Sequence, residues 1–322
     1  MLIDKHGRKI TYLRVSVTDR CNLRCFYCSS KDAIAWLPHE EILSYEELLE
    51  IVKVAISLGI EKIRLTGGEP LVRKDFVSLV AAISKIPGLR DLSLTTNGIL
   101  LAEFAEDLKK AGLNRINISL DTLDPKKYKT ICGYNKLGDV LRGIDKALEM
   151  GFSPVKINTV VMKGLNEDEI LDLAKLTIER PVEVRFIEFM PVGDGAAWEE
   201  KYFMPVAEIK KRVEMLGPLV PAQKIGAGPA RVYTLPNACG KIGFISAITE
   251  HFCDKCNRLR LTPEGKLRMC LFSDEEIDLK PYLRGNFSRK DLKEAFLKAI
   301  KNKPAKRSLS FSPHRIMRSI GG

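Results

Sequence analysis

Several features that mark particular classes of protein are missing from this 322-residue chain. No uninterrupted apolar run approaches the roughly 18–20 residues that a membrane-spanning helix requires. The opening segment MLIDKHGRKITY has no hydrophobic core of the kind found in secretory signal peptides. Eight cysteines are too few for a secreted disulfide scaffold of this length. We therefore expect a cytoplasmic protein.

The composition is that of a globular protein with a basic excess. Apolar residues make up 45% and charged residues 29%, which excludes disorder or collagen-like repeats as the main state. Lysine and arginine total 52 against 41 aspartates and glutamates, giving a net charge of +11. The excess favours an anionic partner, namely a phosphate-rich substrate, a nucleic acid or an acidic lipid. A solvated basic surface is the alternative.

Predicted strands and helices alternate along the first 190 residues. The predicted strands are Tyr12–Val17, Lys62–Leu65, Asp91–Leu94, Arg115–Leu120, Val155–Val161 and Val182–Phe189. The predicted helices are Tyr45–Leu58, Phe76–Ile83, Phe104–Ala111, Val140–Met150 and Asp168–Thr177. This alternation predicts a mostly parallel α/β sheet with helical crossovers. The nearly continuous hydrophobicity of the strands predicts that both faces are covered.

The alternation stops after about residue 200. We predict a helix at Val206–Leu216, a linker from Pro218 to Pro229 and a final helix near Lys290–Lys301. Between the linker and the last helix, four short runs predict antiparallel strands, at Arg231–Leu235, Lys241–Ile248, Arg258–Thr262 and Lys266–Leu271. A basic tail ends in Gly321-Gly322.

Glycine and small polar residues follow four of the predicted strands. These segments are Thr66–Pro70, Thr95–Gly98, Ser119–Asp121 and Met190–Gly193. Ligands of α/β sheets and barrels lie at the carboxyl ends of strands. Ordinary turns between strand and helix use the same residues. Four such segments in succession favour a ligand site.

The first cysteine group is Cys21-x3-Cys25-x2-Cys28, in the loop after the first strand. Three soft thiolates within eight residues suit iron–sulfur ligation. Three ligands on a [4Fe–4S] cluster leave one iron open, as a reacting cofactor requires. A zinc site with a distant fourth ligand is the alternative.

The second group is Cys253-x2-Cys256-x13-Cys270. With His251 it could form a four-ligand zinc site, and without it a second three-thiolate cluster. The runs around Pro263–Gly265 predict a hairpin that places Arg260 opposite Arg268 and Arg258 opposite Cys270. Like charges directly opposed in a sheet are destabilising, so an anion is expected on that face. A fully exposed basic face is the alternative.

The run Cys21-x3-Cys25-x-Tyr27-Cys28, together with Gly67-Gly68-Glu69-Pro70, resembles the signature of the radical S-adenosylmethionine (SAM) superfamily. The resemblance implies that the open iron binds the amino and carboxylate groups of SAM. An electron from the cluster then cleaves SAM to a 5′-deoxyadenosyl radical. The implied SAM-binding residues are Tyr27, Gly68, Ser119 and Met190.

From Arg14 to Gly322 the chain resembles the GTP 3′,8-cyclase family, also called the molybdenum cofactor biosynthesis protein A family. The run Cys253-x2-Cys256-Asn257-Arg258-Leu259-Arg260, Cys270 and the terminal Gly321-Gly322 are similar to its second cluster site and glycine tail. The resemblance implies a partial (β/α)6 TIM-type barrel at residues 5–215. Residues 216–322 are implied to form an antiparallel extension with a second [4Fe–4S] cluster. In the family pattern, the position of His251 is not a ligand, and this counts against a zinc site.

The implied enzyme is a radical SAM lyase that converts GTP to 3′,8-cyclo-7,8-dihydroguanosine 5′-triphosphate. The deoxyadenosyl radical takes hydrogen from ribose C3′, and C3′ then attacks guanine C8. The implied GTP contacts are Arg14, Arg64, Thr95, Lys156, Arg258 and Arg260. The implied cluster ligands are Cys21, Cys25, Cys28, Cys253, Cys256 and Cys270. Gly321 and Gly322 are implied to reach the active site. No Walker-type phosphate loop occurs, so side-chain cations must hold the triphosphate.

The family further implies a homodimer and a downstream cyclic pyranopterin monophosphate synthase. A low-potential electron donor is chemically reasonable, and neither nucleic acid nor membrane is expected as a partner. Arg185 either orders the site or is a satisfied barrel arginine. Cys132 and Cys239 fit neither group and are expected to be inert buried thiols.

Two other functions stay open on the residues alone. One is a different radical SAM enzyme with an auxiliary cluster, such as a peptide-modifying maturase, although such enzymes generally have more C-terminal cysteines. The other is a zinc-bearing RNA-binding protein. Against this function, the chain lacks the aromatic stacking platform expected of single-strand binders. An RNA-binding function would also leave the first cysteine group without a role.

Overall fold

The computed structural model describes residues 2–28, 36–192, 199–223, 228–285, 288–307 and 317–320. Within them one mixed sheet is flanked by helices. Its strands are β1 (Tyr12–Ser16), β2 (Lys62–Thr66), β3 (Asp91–Thr96), β4 (Arg115–Ser119), β5 (Val155–Val161), β6 (Val182–Glu188), β7 (Val220–Pro221), β8 (Arg231–Thr234), β9 (Lys241–Ile245), β10 (Arg258–Leu261), β11 (Lys266–Arg268) and β12 (Glu276–Asp278). The α-helices are α1 (Tyr45–Leu58), α2 (Phe76–Ser84), α3 (Leu101–Lys110), α4 (Pro125–Cys132), α5 (Leu137–Glu149), α6 (Ile170–Glu179), α7 (Val206–Val213), α8 (Pro281–Arg284) and α9 (Arg289–Asn302).

The predicted partial (β/α)6 barrel is confirmed. Strands β1 to β6 are parallel and neighbour one another in chain order, with helices in each connection. The barrel does not close on itself, because β1 pairs next with β10 and β6 pairs next with β9. No helix in the described part of the chain is long and apolar enough to cross a bilayer.

Helix α1 shows how local sequence sets the bounds of these helices. The hydroxyl of Ser44 accepts a hydrogen bond from the amide of Glu47, and the Glu47 carboxylate accepts one from the amide of Ser44. This reciprocal capping box fixes the start of the helix. Gly59 ends it at φ 112°, in the left-handed region that favours glycine. Leu48 and Ile51 are fully buried on the face toward the core.

The barrel strands alternate between apolar and polar side chains. Leu13, Val15 and Leu65 are fully buried in the apolar core cluster, whereas Arg14 and Arg64 line an internal cavity. Successive side chains of a strand point to opposite faces, so one face packs on the core and the other faces the cavity. All five residues of β1 are buried, so both faces of this strand are covered as expected, but its inner-face side chains are not apolar.

The C-terminal strands extend the sheet at both ends. Strand β11 is antiparallel to both β10 and β12, and β8 is antiparallel to both β7 and β9. However, β10 runs parallel to β1 and β9 parallel to β6, so the expectation of purely antiparallel strands is wrong for these contacts. The predicted pairing of Arg260 with Arg268 is confirmed. The predicted barrel region (5–215) and C-terminal region (216–322) contribute strands to one sheet. The boundary between them stays a prediction.

Candidate active site

A cavity of about 330 Å³ lies inside the barrel and joins the two cysteine groups. Its wall includes all six grouped cysteines, namely Cys21, Cys25, Cys28, Cys253, Cys256 and Cys270. The first group follows the carboxyl end of β1, whereas Cys256 precedes the amino end of β10, which is parallel to β1. The two groups therefore lie toward opposite ends of one strand pair. A five-residue strand such as β1 is about 16 Å long, which sets the scale of this separation.

The first cysteine loop is held by the end of α4. The amide of Arg24 donates to the carbonyl of Cys132 at 2.9 Å, and the amide of Phe26 donates to the carbonyl of Ile131 at 3.0 Å. These two bonds flank Cys25 on both sides. Helix α4, which the sequence analysis did not predict, thus fixes the backbone of the central cysteine.

The Gly67-Gly68-Glu69-Pro70 turn supports the same loop from β2. The amide of Gly68 donates to the carbonyl of Thr18 at 2.7 Å, and the amide of Glu69 donates to the carbonyl of Arg20 at 2.8 Å. A Cβ atom on Gly68 would lie 2.2 Å from the carbonyl oxygen of Arg20. Only glycine allows this approach, because the obstructing atoms belong to the backbone.

Glu69 connects this turn to the end of β3. Its carboxylate accepts hydrogen bonds from the Thr96 hydroxyl at 2.8 Å, the Asn97 amide at 2.6 Å and the Leu71 amide at 3.0 Å. Burial raises the pKa of Glu69 to about 7. The buried carboxylate therefore ties together the turns that follow two neighbouring strands.

Tyr27 lies in the wall of the cavity beside a buried carboxyl group. Its hydroxyl donates to Asp121 at 2.6 Å, and the other Asp121 oxygen accepts from the amide of Val160 at 2.8 Å. Burial raises the pKa of Asp121 to about 6. Burial, and then the nearby charge of Asp121, also raises the pKa of Tyr27. The bond fixes the orientation of the Tyr27 ring at the carboxyl end of the barrel.

The first cysteines are buried thiols. Burial raises the pKa of Cys21 to about 12. A hydrogen bond with the Cys132 thiol, followed by burial, raises the pKa of Cys25. Binding to a metal displaces thiol protons, so these groups become thiolates when a cluster binds.

The second cysteine group has a basic environment. Burial raises the pKa of Cys256, but the positive charges of Arg258 and Lys303 outweigh burial and lower it to about 6. The guanidinium of Arg258 stacks 4.8 Å from the ring centroid of Phe252. The amide of Cys256 donates to the carbonyl of Cys253 at 3.1 Å, which curls the loop between these two cysteines.

The donor sets fit two iron–sulfur clusters. Each group supplies three soft thiols to a shared cavity, as a four-iron cluster with one open iron requires. Among the described residues, no three His, Cys, Asp or Glu side chains converge on the position of a single metal ion. The cysteines of a cube each bind a different iron atom, so its ligands need not converge in this way.

Most residues predicted to bind SAM or GTP also line the cavity. They are Tyr27, Gly68, Ser119 and Met190 for SAM, and Arg14, Arg64, Thr95, Arg258 and Arg260 for GTP. Burial lowers the pKa of Arg64 only to about 10, so its charge persists at neutral pH. These binding roles stay predictions. Gly321 and Gly322 lie outside the described residues.

Lys156 differs from the other predicted GTP contacts. It lies one inward-facing position before Asn158, which lines the cavity, and its ammonium is 3.5 Å from the Glu183 carboxylate. Burial, followed by the charge of Arg185, lowers the pKa of Lys156 to about 7. Arg185 itself lines the cavity and pairs with Glu183 at 2.5 Å. Lys156 is therefore part of a buried ionic cluster adjoining the cavity.

Two expectations about neighbouring side chains need correction. Arg268 forms ion pairs with Glu276 on β12 and with Asp274, so these carboxylates already neutralise its charge. Cys239 is exposed rather than buried. Cys132 is buried as expected, but it also lines the cavity and hydrogen-bonds with Cys25.

The cavity residues that sequence reasoning missed include Glu188 and Arg307. The fully buried Glu188 carboxylate accepts hydrogen bonds from the Val206 and Ile248 amides and from Thr249. Arg307 stacks 5.1 Å from the ring centroid of Phe272 and donates to the Ile248 carbonyl at 2.8 Å. Neither residue belongs to a local motif, so no sequence signal marked them.

The cysteine loop after β1, the glycine-rich turn after β2 and the partial barrel together define a radical SAM protein. A family model described as "Radical SAM superfamily" matches residues 15–177. A second model, described as "Molybdenum Cofactor Synthesis C", matches residues 182–309. The chain is a member of the radical SAM superfamily.

Full-length relatives identify the family more narrowly. A protein named GTP 3′,8-cyclase from Thermodesulfovibrio yellowstonii is 50% identical over 321 residues, covering 99% of each chain. One of the same name from Desulforamulus reducens is 50% identical over 325 residues, covering 100% of each chain. The chain therefore belongs to the GTP 3′,8-cyclase family.

Solved structures show the same fold at much lower identity. Streptococcus suis SuiB bound to its precursor peptide SuiA matches with a TM-score of 0.65 and 17% identity, over 94% of this chain and 67% of SuiB. SuiB bound to S-adenosylmethionine gives a TM-score of 0.65 at 16% identity, over 94% of this chain and 68% of SuiB. This likeness concerns the fold alone.

Proposed function

We propose that this protein is a radical SAM GTP 3′,8-cyclase that forms 3′,8-cyclo-7,8-dihydroguanosine 5′-triphosphate for molybdenum cofactor biosynthesis. The observation that carries the proposal is the placement of both cysteine groups on one cavity with an arginine-rich wall. The full-length relatives named GTP 3′,8-cyclase support the choice of GTP as the substrate.

We assign a [4Fe–4S] cluster to each cysteine group, with SAM at the first. Bound there, the first cluster and SAM supply a 5′-deoxyadenosyl radical for hydrogen abstraction from ribose C3′. The chain orients SAM through the turn that contains Gly68 and through Tyr27, which Asp121 holds in place. Ser119 and Met190 complete the assigned SAM-binding wall.

The assigned nucleotide site lies between the two cysteine groups. Arg14, Arg64, Arg258 and Arg260 face the cavity and are suited to charge-assisted hydrogen bonds with the triphosphate. Arg14 pairs with Arg64 and with Arg260 across neighbouring strands, so three guanidinium groups come from adjacent positions. Like charges at such positions are stabilised by a bound polyanion. Thr95 supplies a buried hydroxyl without a hydrogen-bond partner in the structure, available to the ligand.

Lys156 contributes to this site through the ionic cluster with Glu183 rather than from the cavity wall. The guanine edge is assigned to the second cluster, next to Cys256 and Cys270. Gly321 and Gly322 are assigned to the active site through the family resemblance. The proposal further includes a low-potential electron donor, a homodimer, a cytoplasmic location and cyclic pyranopterin monophosphate synthase as the next enzyme.

The experiment that tests the function is anaerobic incubation of the reconstituted protein with SAM, dithionite and either GTP or ATP. We expect about eight iron atoms per chain, as two four-iron clusters supply. We also expect GTP, but not ATP, to raise 5′-deoxyadenosine formation above the basal level of SAM cleavage and to give a cyclised nucleotide. Colourless protein with stoichiometric zinc would contradict the clusters. Deoxyadenosine formation that does not depend on GTP, without a cyclised product, would contradict the substrate.

A further inference from the structure

Lys303 is a buried lysine at the point where the C-terminal helix ends. Helix α9 stops at Asn302, and both Asn302 and Lys301 are exposed. Lys303 leaves the helical conformation, at φ −59° and ψ 124°, and is only 2% exposed. Lysine is almost never fully buried unless its ammonium group is paired. The position therefore requires specific partners for the charge.

The ammonium of Lys303 joins the two segments that contain Cys256 and Cys270. It donates to the carbonyl of Arg258 at 2.9 Å and to the carbonyl of Met269 at 2.5 Å. Arg258 lies two residues after Cys256, and Met269 immediately precedes Cys270. One side chain thus sets the spacing between two of the three assigned ligands.

Arg8 makes the corresponding connection to Cys253. Its guanidinium donates to the carbonyl of Cys253 at 2.8 Å and to the carbonyls of Pro304 and Ala305 at 2.7 and 3.0 Å. Asp4 holds this guanidinium through an ion pair of 2.6 Å. Because Pro304 and Ala305 directly follow Lys303, the two cations and the segment between them link all three cysteine-bearing segments.

The charge of Lys303 also acts on the cysteines. The ammonium interacts electrostatically with both Cys256 and Cys270. A [4Fe–4S] cluster with three thiolates gains negative charge on reduction. A neighbouring fixed cation favours the reduced form, since the surrounding charge and hydrogen bonds set the potential of a cluster.

We propose that Lys303 is a positioning residue for the second cluster, holding the segments of Cys256 and Cys270 at cluster spacing and raising the reduction potential of the cluster. This inference rests on the proposed function, because it requires iron–sulfur ligation by the second group. Arg8 has the parallel task of holding Cys253. The substrate-facing arginines of the cavity are separate from this pair.

The test uses the full chain with Cys21, Cys25 and Cys28 replaced by alanine, so that only the second group can bind iron. Lys303→Met and Lys303→Arg are compared in this background after anaerobic reconstitution. Lys241→Met is the matched control, since its ammonium donates to the Gln223 carbonyl at 2.9 Å on the exposed surface. Iron content, melting temperature and the midpoint potential from an EPR-monitored titration are measured.

We expect Lys303→Met to shift the midpoint potential to a more negative value or to lose the cluster. Lys303→Arg should retain the cluster with a potential close to that of the parent, and Lys241→Met should match the parent in all three measurements. An unchanged potential and iron content in Lys303→Met would overturn the inference. Equal loss of the cluster in Lys303→Met and Lys303→Arg would also overturn it.

The parent background separates this inference from the proposed function. If the second group of the parent binds zinc or no metal, the proposed function fails before any lysine variant is compared. If the parent binds about four irons, as one cluster supplies, the lysine variants test only the role of Lys303 and not the proposed function.

Discussion

Gly68 packs directly against the backbone of Asp19 and Arg20, so we expect Gly68→Ala to destabilise the protein and to disturb the first cysteine loop. The added methyl group would lie 2.2 Å from the carbonyl oxygen of Arg20 and 2.6 Å from the carbonyl oxygen of Asp19. Neither atom can move like a flexible side chain. The turn of Gly68 and the segment before Cys21 must therefore separate, which strains the hydrogen bonds at Thr18 and Arg20.

The magnitude follows from the cost of overpacking. Inserting a methyl group into a packed site costs about 1–3 kcal/mol, and overlap with backbone places this case at about 2–3 kcal/mol. With an unfolding entropy of about 2.1 cal/mol/K per residue, this lowers the melting temperature by about 3–4 °C. Since Cys21 directly follows Arg20, we also expect loss of the first cluster, with iron falling from about eight to about four per chain.

Thermal unfolding and iron analysis after anaerobic reconstitution measure both effects. Gly138→Ala is the matched control, because its Cβ would meet nothing closer than an Arg142 nitrogen at 3.6 Å, on the exposed side of α5. That change should leave the iron content unaltered and raise stability by up to about 1 kcal/mol, as alanine favours helices. A Gly68→Ala protein with the parental melting temperature and eight irons would refute the reasoning.

Three further predictions concern individual side chains. Arg258→Ala should weaken GTP turnover at least tenfold more than GTP-independent SAM cleavage, because it removes a cation of the nucleotide wall; equal losses in the two assays would place Arg258 elsewhere. Glu188→Gln should lower the free energy of unfolding by about 1–3 kcal/mol in denaturant titrations, since the amide cannot accept all four donors; parental stability would contradict this. Glu69→Gln should destabilise by a similar amount at pH 5, and the difference from the parent should shrink by pH 7.5. The folded pKa of Glu69, about 7, exceeds its ordinary value of 4.5, so its contribution to stability is lost as pH rises through that interval; a difference that grows with pH would show the opposite sign.

The local features of the fold were predictable because each is encoded in a short segment. The first strand of the barrel was expected at Tyr12–Val17 and forms at Tyr12–Ser16, and helix α1 has the bounds that its spacing predicts. Turn geometry likewise gave the Arg260–Arg268 pairing. Such features depend on hydrophobic period, capping residues and loop length, which are all legible along the chain.

Features that depend on distant pairing were not predictable. The run Arg258–Thr262 has the same pattern whether its neighbour is parallel or antiparallel, so its pairing with β1 carried no local signal. We expected a bound anion beside Arg268, but the Glu276 carboxylate on strand β12 pairs with its guanidinium instead. Strand β12 was not predicted from the sequence. Lys303 and Glu188 acquire their roles only through partners elsewhere in the fold.

The position of β9 and β10 has a consequence for how the molecule is made. During synthesis, the six barrel strands leave the ribosome before either of these strands exists. Until they arrive, β1 and β6 present unpaired backbone edges, which are templates for aggregation. A chain truncated after the sixth strand would keep those edges permanently, so the later segment is an integral wall of the barrel rather than a removable appendage.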